Sequence, residues 1–310
     1  MPFRSTRSLA LACALVPASL FGQRRDPTAA GLAYKLPGTA RMTVRAGIAY
    51  KTVPTANGSA EPVALKLNVY APPGLARGKA LPALLLVPGG IIPGEGPMPR
   101  EWTAYDAWGR LAAASGLVGI TADHRMTVAD NVDEASADLL DAIAYVRAHA
   151  AEFHVDPTRL CVQFHSAGGP ISGVLLRDPP PYLRCVVLYY PYLDLEHLRR
   201  DTPFRKAYPA AHADSLSAYS PAGALARVDP ARLPPIFLAR AGRDQIPYLN
   251  ESNARFLDTA VARGVTIDFM LHATGQHGFD IANHDNRSRQ IMAASLAFVR
   301  RATGLTQVPE

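Results

Sequence analysis

Leu160-Cys161-Val162-Gln163-Phe164-His165-Ser166-Ala167-Gly168-Gly169 is the stretch from which the rest of the chain is best read. An apolar run of strand-forming residues stops at a serine; two glycines and Pro170 follow, and Ile171 to Leu176 is mostly apolar again. That order predicts a strand, a sharp turn and a helix, with Ser166 at the apex. A turn this tight forces the serine into a strained backbone conformation, and small neighbours are needed for strand and helix to come close. The product is an exposed hydroxyl.

The flanking sequence repeats the same alternation. Met42 to Tyr50 and Val63 to Tyr70 show the period-2 pattern of strands with one buried face, and Asn57-Gly58 between them is a hairpin signal. Leu81 to Val87 is continuously apolar, as expected of a central parallel strand covered on both faces. Trp102, Tyr105, Trp108 and Leu111 fall at helical spacing and read as core aromatics, with Gly116 placed as a helix-terminating glycine. Leu117 to Ala122 is a further strand, ending in Asp123-His124-Arg125. Asn131 and Glu134 have the spacing of a capping box before a helix whose apolar face runs through Leu139, Ile143, Val146, Ala150 and Phe153. Later strands are expected at Cys185 to Tyr190, Ile236 to Ala239 and Ile267 to His272. A helix marked by Leu249, Asn253, Phe256 and Ala260 is closed by Gly264, and a last helix spans about Arg287 to Arg300. Alternating strands and helices imply an α/β domain with a mostly parallel central sheet and helices on both faces.

Three loops at predicted strand ends carry the chemistry. A serine hydroxyl needs a base, a group that orients the base, and donors for the developing oxyanion. His277, in Thr274-Gly275-Gln276-His277-Gly278-Phe279, is the candidate base; His272 and His284 fall within the strand or past the loop. Asp244, in Gly242-Arg243-Asp244-Gln245-Ile246-Pro247, is the candidate acid, with Asp194 as its rival and a simple turn aspartate as the other reading.

With the order Ser166, Asp244, His277, the chain resembles the α/β-hydrolase superfamily, and its His-Ser-Ala-Gly-Gly is similar to the nucleophile elbow of carboxylesterases. Phe164 stands where that pattern has glycine. Pro88-Gly89-Gly90-Ile91 resembles the His-Gly-Gly-Gly oxyanion loop, with Pro88 in place of histidine. The resemblance implies oxyanion donors from Ala167, Gly90 and Gly89, and a substrate pocket near Ile91, Ile92, His165 and Ile246. It also implies a structural ion pair between Asp123 and Arg125. Where hydrolases insert a cap, residues 192 to 233 are polar and proline-studded, so a short cap is expected.

Composition bounds the remainder. The 310 residues, 48% hydrophobic and 19% charged, suit one large globular domain. Arg4 and Arg7 precede an apolar run from Leu9 to Phe21, so residues 1–22 read as a secretory signal peptide, leaving 23–310 as the hydrolase domain. Its removal lowers the net charge from +6 to +4, which does not favour a nucleic-acid partner. No metal-site spacing is present, no cofactor is expected, and the apolar run is too short for a stable membrane span. Cys161 and Cys185 read as buried free thiols, although an oxidising compartment would allow a disulfide. The expected protein is a secreted or periplasmic serine hydrolase acting on small carboxylic esters, acetyl esters included. The alternatives are a prolyl-oligopeptidase-type serine peptidase, which usually carries a large extra domain, and an inactive binding protein on a hydrolase scaffold.

Overall fold

A computed structural model describes residues 29–54, 62–90, 98–125, 131–201 and 213–305. The signal peptide, Asn57-Gly58, Ile91 and Ile92 therefore lie outside the described residues.

The chain runs β1 (Thr43–Val53), β2 (Val63–Ala71), β3 (Leu81–Val87), α1 (Thr103–Ala114), β4 (Val118–Ala122), α2 (Val132–Ala148) and β5 (Val155–His165). A 3₁₀ turn over Ser166–Ile171 leads into α3 (Ser172–Arg177) and then β6 (Leu183–Tyr189). The crossover holds α4 (Leu195–Asp201), α5 (Ala213–Tyr219) and α6 (Pro221–Arg227). The chain closes with β7 (Ile236–Ala241), α7 (Leu249–Ala262), β8 (Ile267–His272), α8 (Phe279–Ala282) and α9 (Asn286–Ala302).

These strands form one eight-stranded sheet in the order β1-β2-β4-β3-β5-β6-β7-β8. β2 is antiparallel to both its neighbours, and every other pairing is parallel. Side chains of β3 alternate between two cores. Leu84 and Leu86 pack with Trp108, Leu111, Ile291 and Leu296 of α1 and α9. Leu85 and Val87 pack on the other face with Leu139, Ile143, Leu175 and Phe256 of α2, α3 and α7. Burial on both faces is why β3 is apolar at every position but Pro82.

The helix ends follow their glycines. Gly116 (φ 91°) and Gly264 (φ 67°) take the left-handed conformation just past α1 and α7, where L side chains are strained. The crossover leucines Leu195, Leu198, Leu216 and Leu225 are buried in the core beside α2 and α3. A side chain at Gly173 would stand 1.9 Å from the Tyr219 carbonyl, so α3 meets the α5–α6 turn backbone to backbone.

Four local expectations are corrected. Asp123 pairs with Arg100 (3.1 Å), not Arg125, both groups being buried. Burial raises the Asp123 carboxyl above its usual range and the Arg100 charge opposes that. Arg125 instead reaches α2, bonding Asp138 and Glu134. Asn131 heads α2, but its amide donates to the Arg125 carbonyl (2.7 Å) rather than closing a capping box. α2 ends at Ala148, before Ala150 and Phe153, and β5 already begins at Val155. Finally, Cys161 and Cys185 are not free thiols. They face each other in register on β5 and β6, with Cα atoms 4.7 Å apart, and are joined as a disulfide. Paired residues of adjacent strands project to the same face at disulfide-compatible spacing, which hydrophobicity alone does not reveal.

Closing a 24-residue separation across the two central strands should stabilise the fold by about 3 kcal/mol on chain-entropy grounds. Reductant should therefore lower the urea midpoint of the wild type to that of the Cys161→Ala/Cys185→Ala double variant. A midpoint insensitive to reductant would show that the disulfide does not form.

Candidate active site

The parallel arrangement of β3 and β5 to β8 brings their C-terminal ends to one edge of the sheet, where five loops meet. At the end of β5, Ser166 has φ 47°, a left-handed value that non-glycine residues adopt rarely and at a cost. The neighbouring glycines make room for it. A side chain at Gly89 would lie 2.6 Å from the His165 carbonyl and 2.7 Å from Ser166 Cβ, and one at Gly168 would lie 2.6 Å from the Pro88 carbonyl. The tight approach therefore falls on Gly89 and Gly168. Phe164, which replaces the expected glycine, points away into the α2–α3 core and is fully buried.

Ser166 Oγ lies 2.7 Å from His277 Nε2, and His277 Nδ1 lies 2.8 Å from Asp244 Oδ2. The other Asp244 oxygen accepts the Ile246 N–H at 2.9 Å. Turn formation and imidazole contact thus use different oxygens of one carboxylate. Its side chain is 0% exposed and that of His277 is 14% exposed, so solvent access rises from acid to base. The two loops are zipped together: the Arg243 N–H donates to the Gly275 carbonyl (2.9 Å), and the His277 N–H to Gln245 Oε1 (3.1 Å). Asp194 instead accepts the His197 N–H at the start of α4, His272 is paired with Asp285, and His284 contacts the Gly31 carbonyl.

Ala167 contributes one of the first amides of the turn after Ser166, a position with no partner inside the helix. Gly90 (φ 97°) sits under the Trp102 ring, which a side chain there would strike. Gly89 does not fit as an oxyanion donor, because its N–H already donates to the Tyr105 hydroxyl at 2.5 Å. On the other side of this loop, His124 Nε2 donates to the Pro88 carbonyl (2.8 Å). Burial lowers the pKa of His124, which favours the neutral ring with its proton on Nε2. Tyr105 and His124 together brace a loop that lacks the histidine of the related motif.

His165 is not a substrate contact. It is 1% exposed and boxed in by Tyr105, Trp108, Tyr189 and Tyr190, with ring centroids between 5.2 and 6.1 Å. Burial lowers its pKa to about 4, so it is a neutral core histidine near pH 7. Residues at the end of a strand alternate in direction, and His165 points down where Ser166 turns out. Ile246 is partly buried at the edge of the α1–α9 core. Three residues absent from the sequence-level site lie against it: Tyr190, whose ring meets His277 edge-on at 4.7 Å, and Asp280 and Trp108 behind it. The only sequence hints were Asp280 three residues past His277 and Tyr190 ending a strand.

A profile of the prolyl oligopeptidase family matches residues 129–306, and a BD-FAE profile matches residues 67–175. No curated protein matches significantly. Among solved structures, Thermogutta terrifontis esterase 2 with bound propionate is 23% identical, covering 88% of this chain and 98% of that one with a TM-score of 0.65. The same esterase with bound butyrate is 21% identical over the same shares, again with a TM-score of 0.65. Its form phosphoramylated by tabun is 21% identical, with a TM-score of 0.64. These likenesses give the α/β-hydrolase fold. Matched over more than half its length, the chain belongs to the prolyl oligopeptidase family and is a serine hydrolase.

Proposed function

We propose that the protein is a carboxylesterase acting on small esters through an acyl-enzyme. The observation that carries this is the unbroken contact from Asp244 through His277 to Ser166, at 2.8 and 2.7 Å. Ser166 Oγ attacks the acyl carbon while His277 Nε2 takes its proton, and Asp244 holds the ring in the tautomer that can accept it. The oxyanion is met by the N–H groups of Ala167 and Gly90. His277 returns the proton to the departing alcohol, and water repeats the sequence to free the acid.

Two things support a short acyl group. The related esterase binds propionate and butyrate, and it is phosphorylated by paraoxon, a reagent for activated serines. In the chain itself, Leu193, Leu195, Leu198, Leu216 and Leu225 of the crossover are buried in the core, so they do not wall an acyl tunnel. Ile91, Ile92 and Ile246 remain as the proposed lining. The second reading, a peptidase, is favoured by the match to the prolyl oligopeptidase family. The Cys161–Cys185 disulfide supports a secreted or periplasmic location, since such bonds persist in oxidising compartments.

Ser166→Ala and His277→Ala should each lower kcat by about 10⁴ while leaving the circular dichroism spectrum unchanged. Near-native ester hydrolysis by folded Ser166→Ala would remove the nucleophile assignment. Asp244→Asn should cost about 10³ to 10⁴ in kcat through the wrong imidazole tautomer, and Asp194→Asn less than about threefold; the reverse ranking would move the acid to Asp194. Across p-nitrophenyl esters from acetate to palmitate, kcat/KM should peak between C2 and C4. Each further CH₂ could contribute about 0.8 kcal/mol only if apolar walls enclosed it. A maximum at C12 or beyond would point to a lipase-like lid, and faster turnover of aminoacyl anilides would favour the peptidase.

A further inference from the structure

Asp280 is a carboxylate placed where a folded protein rarely leaves one. It is 2% exposed, on the short helix that follows the His277 loop, and the proposed reaction does not use it. Oδ1 accepts from the Tyr190 hydroxyl at 2.6 Å and Oδ2 from the Trp108 indole N–H at 2.8 Å. An indole can only donate, so Oδ2 is held as an acceptor while Oδ1 is engaged by the Tyr190 hydroxyl. Tyr190 stays protonated, since burial, then the Asp280 charge, raises its pKa well above the ordinary value. The nearest imidazole to Asp280 is that of His165, 4.0 Å away and neutral near pH 7.

Tyr190 joins this buried charge to the working imidazole. It has φ 38°, one of four positive values among the described non-glycine residues, Ser166 being another, and its N–H is fixed to the Ala239 carbonyl at 2.8 Å. That conformation turns its ring edge-on to His277 while its hydroxyl reaches down to Asp280. The same residue therefore touches the base with its ring and the acid with its oxygen. Strain held at such a point is a reason to look for function there.

We propose that Asp280 is a second acid of the site, a positioning residue that acts through Tyr190 to hold the His277 ring in line with Ser166 and to stabilise it when it carries the proton. This rests on the hydrolase reading above. The groups in contact with His277 are then Ser166 from the elbow, Asp244 from the loop after β7 and Tyr190 from the end of β6, while His165 from β5 and Asp280 from α8 both touch Tyr190. Asp244 acts by direct contact, and Asp280 acts through the Tyr190 ring. No bond is made or broken at Asp280 or Tyr190.

The test compares the wild type with Asp280→Asn and Tyr190→Phe. Asparagine keeps the shape and can still accept from Trp108, while phenylalanine keeps the ring and removes the link. Two readouts are taken from pH 5 to 9: kcat and KM on p-nitrophenyl acetate, and the rate of inactivation by a fluorophosphonate. Catalysis needs neutral His277, so activity rises with pH through its titration. Losing a nearby negative charge makes the imidazolium less stable and moves that rise to lower pH. Asp280→Asn should lower kcat about tenfold with KM little changed, the rate equivalent of one pH unit of imidazolium stabilisation, and should shift the acid limb down by about half a pH unit or more. Tyr190→Phe should shift the limb the same way by less. A folded Asp280→Asn with a lower kcat but an unmoved limb would make the residue merely structural and overturn the proposal. So would a wild-type profile. If Asp280→Asn does not fold, an unmoved limb in Tyr190→Phe overturns it equally. A wild type that reacts with the fluorophosphonate but hydrolyses no ester would sink the esterase reading alone, and the inactivation profiles would still decide the role of Asp280.

Discussion

The site depends on one close approach, that of the loop after β3 to the turn after β5. Backbone meets backbone there because Gly89 and Gly168 have no side chains, and the gap each leaves is too small for a Cβ. This contact has two effects. It lets Ser166 occupy a left-handed conformation that aims its hydroxyl out of the sheet, and it sets the β3 loop beside the amide of Ala167. Nucleophile and candidate oxyanion donors are thus placed by the same packing event. The strain at Ser166 persists because the surrounding core, apolar on both sheet faces, leaves the turn no other path.

Below this contact lies a floor of aromatic rings that ties the parts together. Tyr105 accepts the Gly89 N–H and packs edge-on against His165, the residue before Ser166. His165 in turn lies against Tyr189 and Tyr190, and Tyr190 meets His277. A displacement of any one ring would be felt by the loop, the nucleophile and the base together. Rings suit this use because each fixes two torsions and presents polar groups only at defined points.

The sheet was legible in the sequence because its signals are local. Continuous apolar runs marked the central strands to within a few residues, and glycines marked the helix ends at Gly116 and Gly264. The order Ser166, Asp244, His277 was legible as well, since each of these residues sits in its own strand-end loop. What was not legible depends on pairing between distant segments. Arg100 reaching Asp123, Cys161 reaching Cys185, and Trp108 and Tyr190 meeting Asp280 each need the strand order, which hydrophobic periodicity does not encode. His165 was misread for a related reason. The elbow resemblance implied a shared pocket, whereas β5 ends with His165 turned into the core and the left-handed turn at Ser166 sends its hydroxyl outward.

The rise in exposure from Asp244 to His277 carries a physical consequence. A carboxylate out of water interacts more strongly with its partners than one in water, but it is tolerable only if hydrogen-bonded. Asp244 meets that condition with the Ile246 amide on one oxygen and the His277 ring on the other. The ring itself must remain reachable, because it has to pass a proton between Ser166, a leaving alcohol and water. Its remaining exposure answers that need. A loop this constrained on its acid side and open on its substrate side can hold the imidazole only if something packs behind the ring. In this chain that backing is Tyr190, anchored from below by Asp280 and from behind by the Ala239 carbonyl.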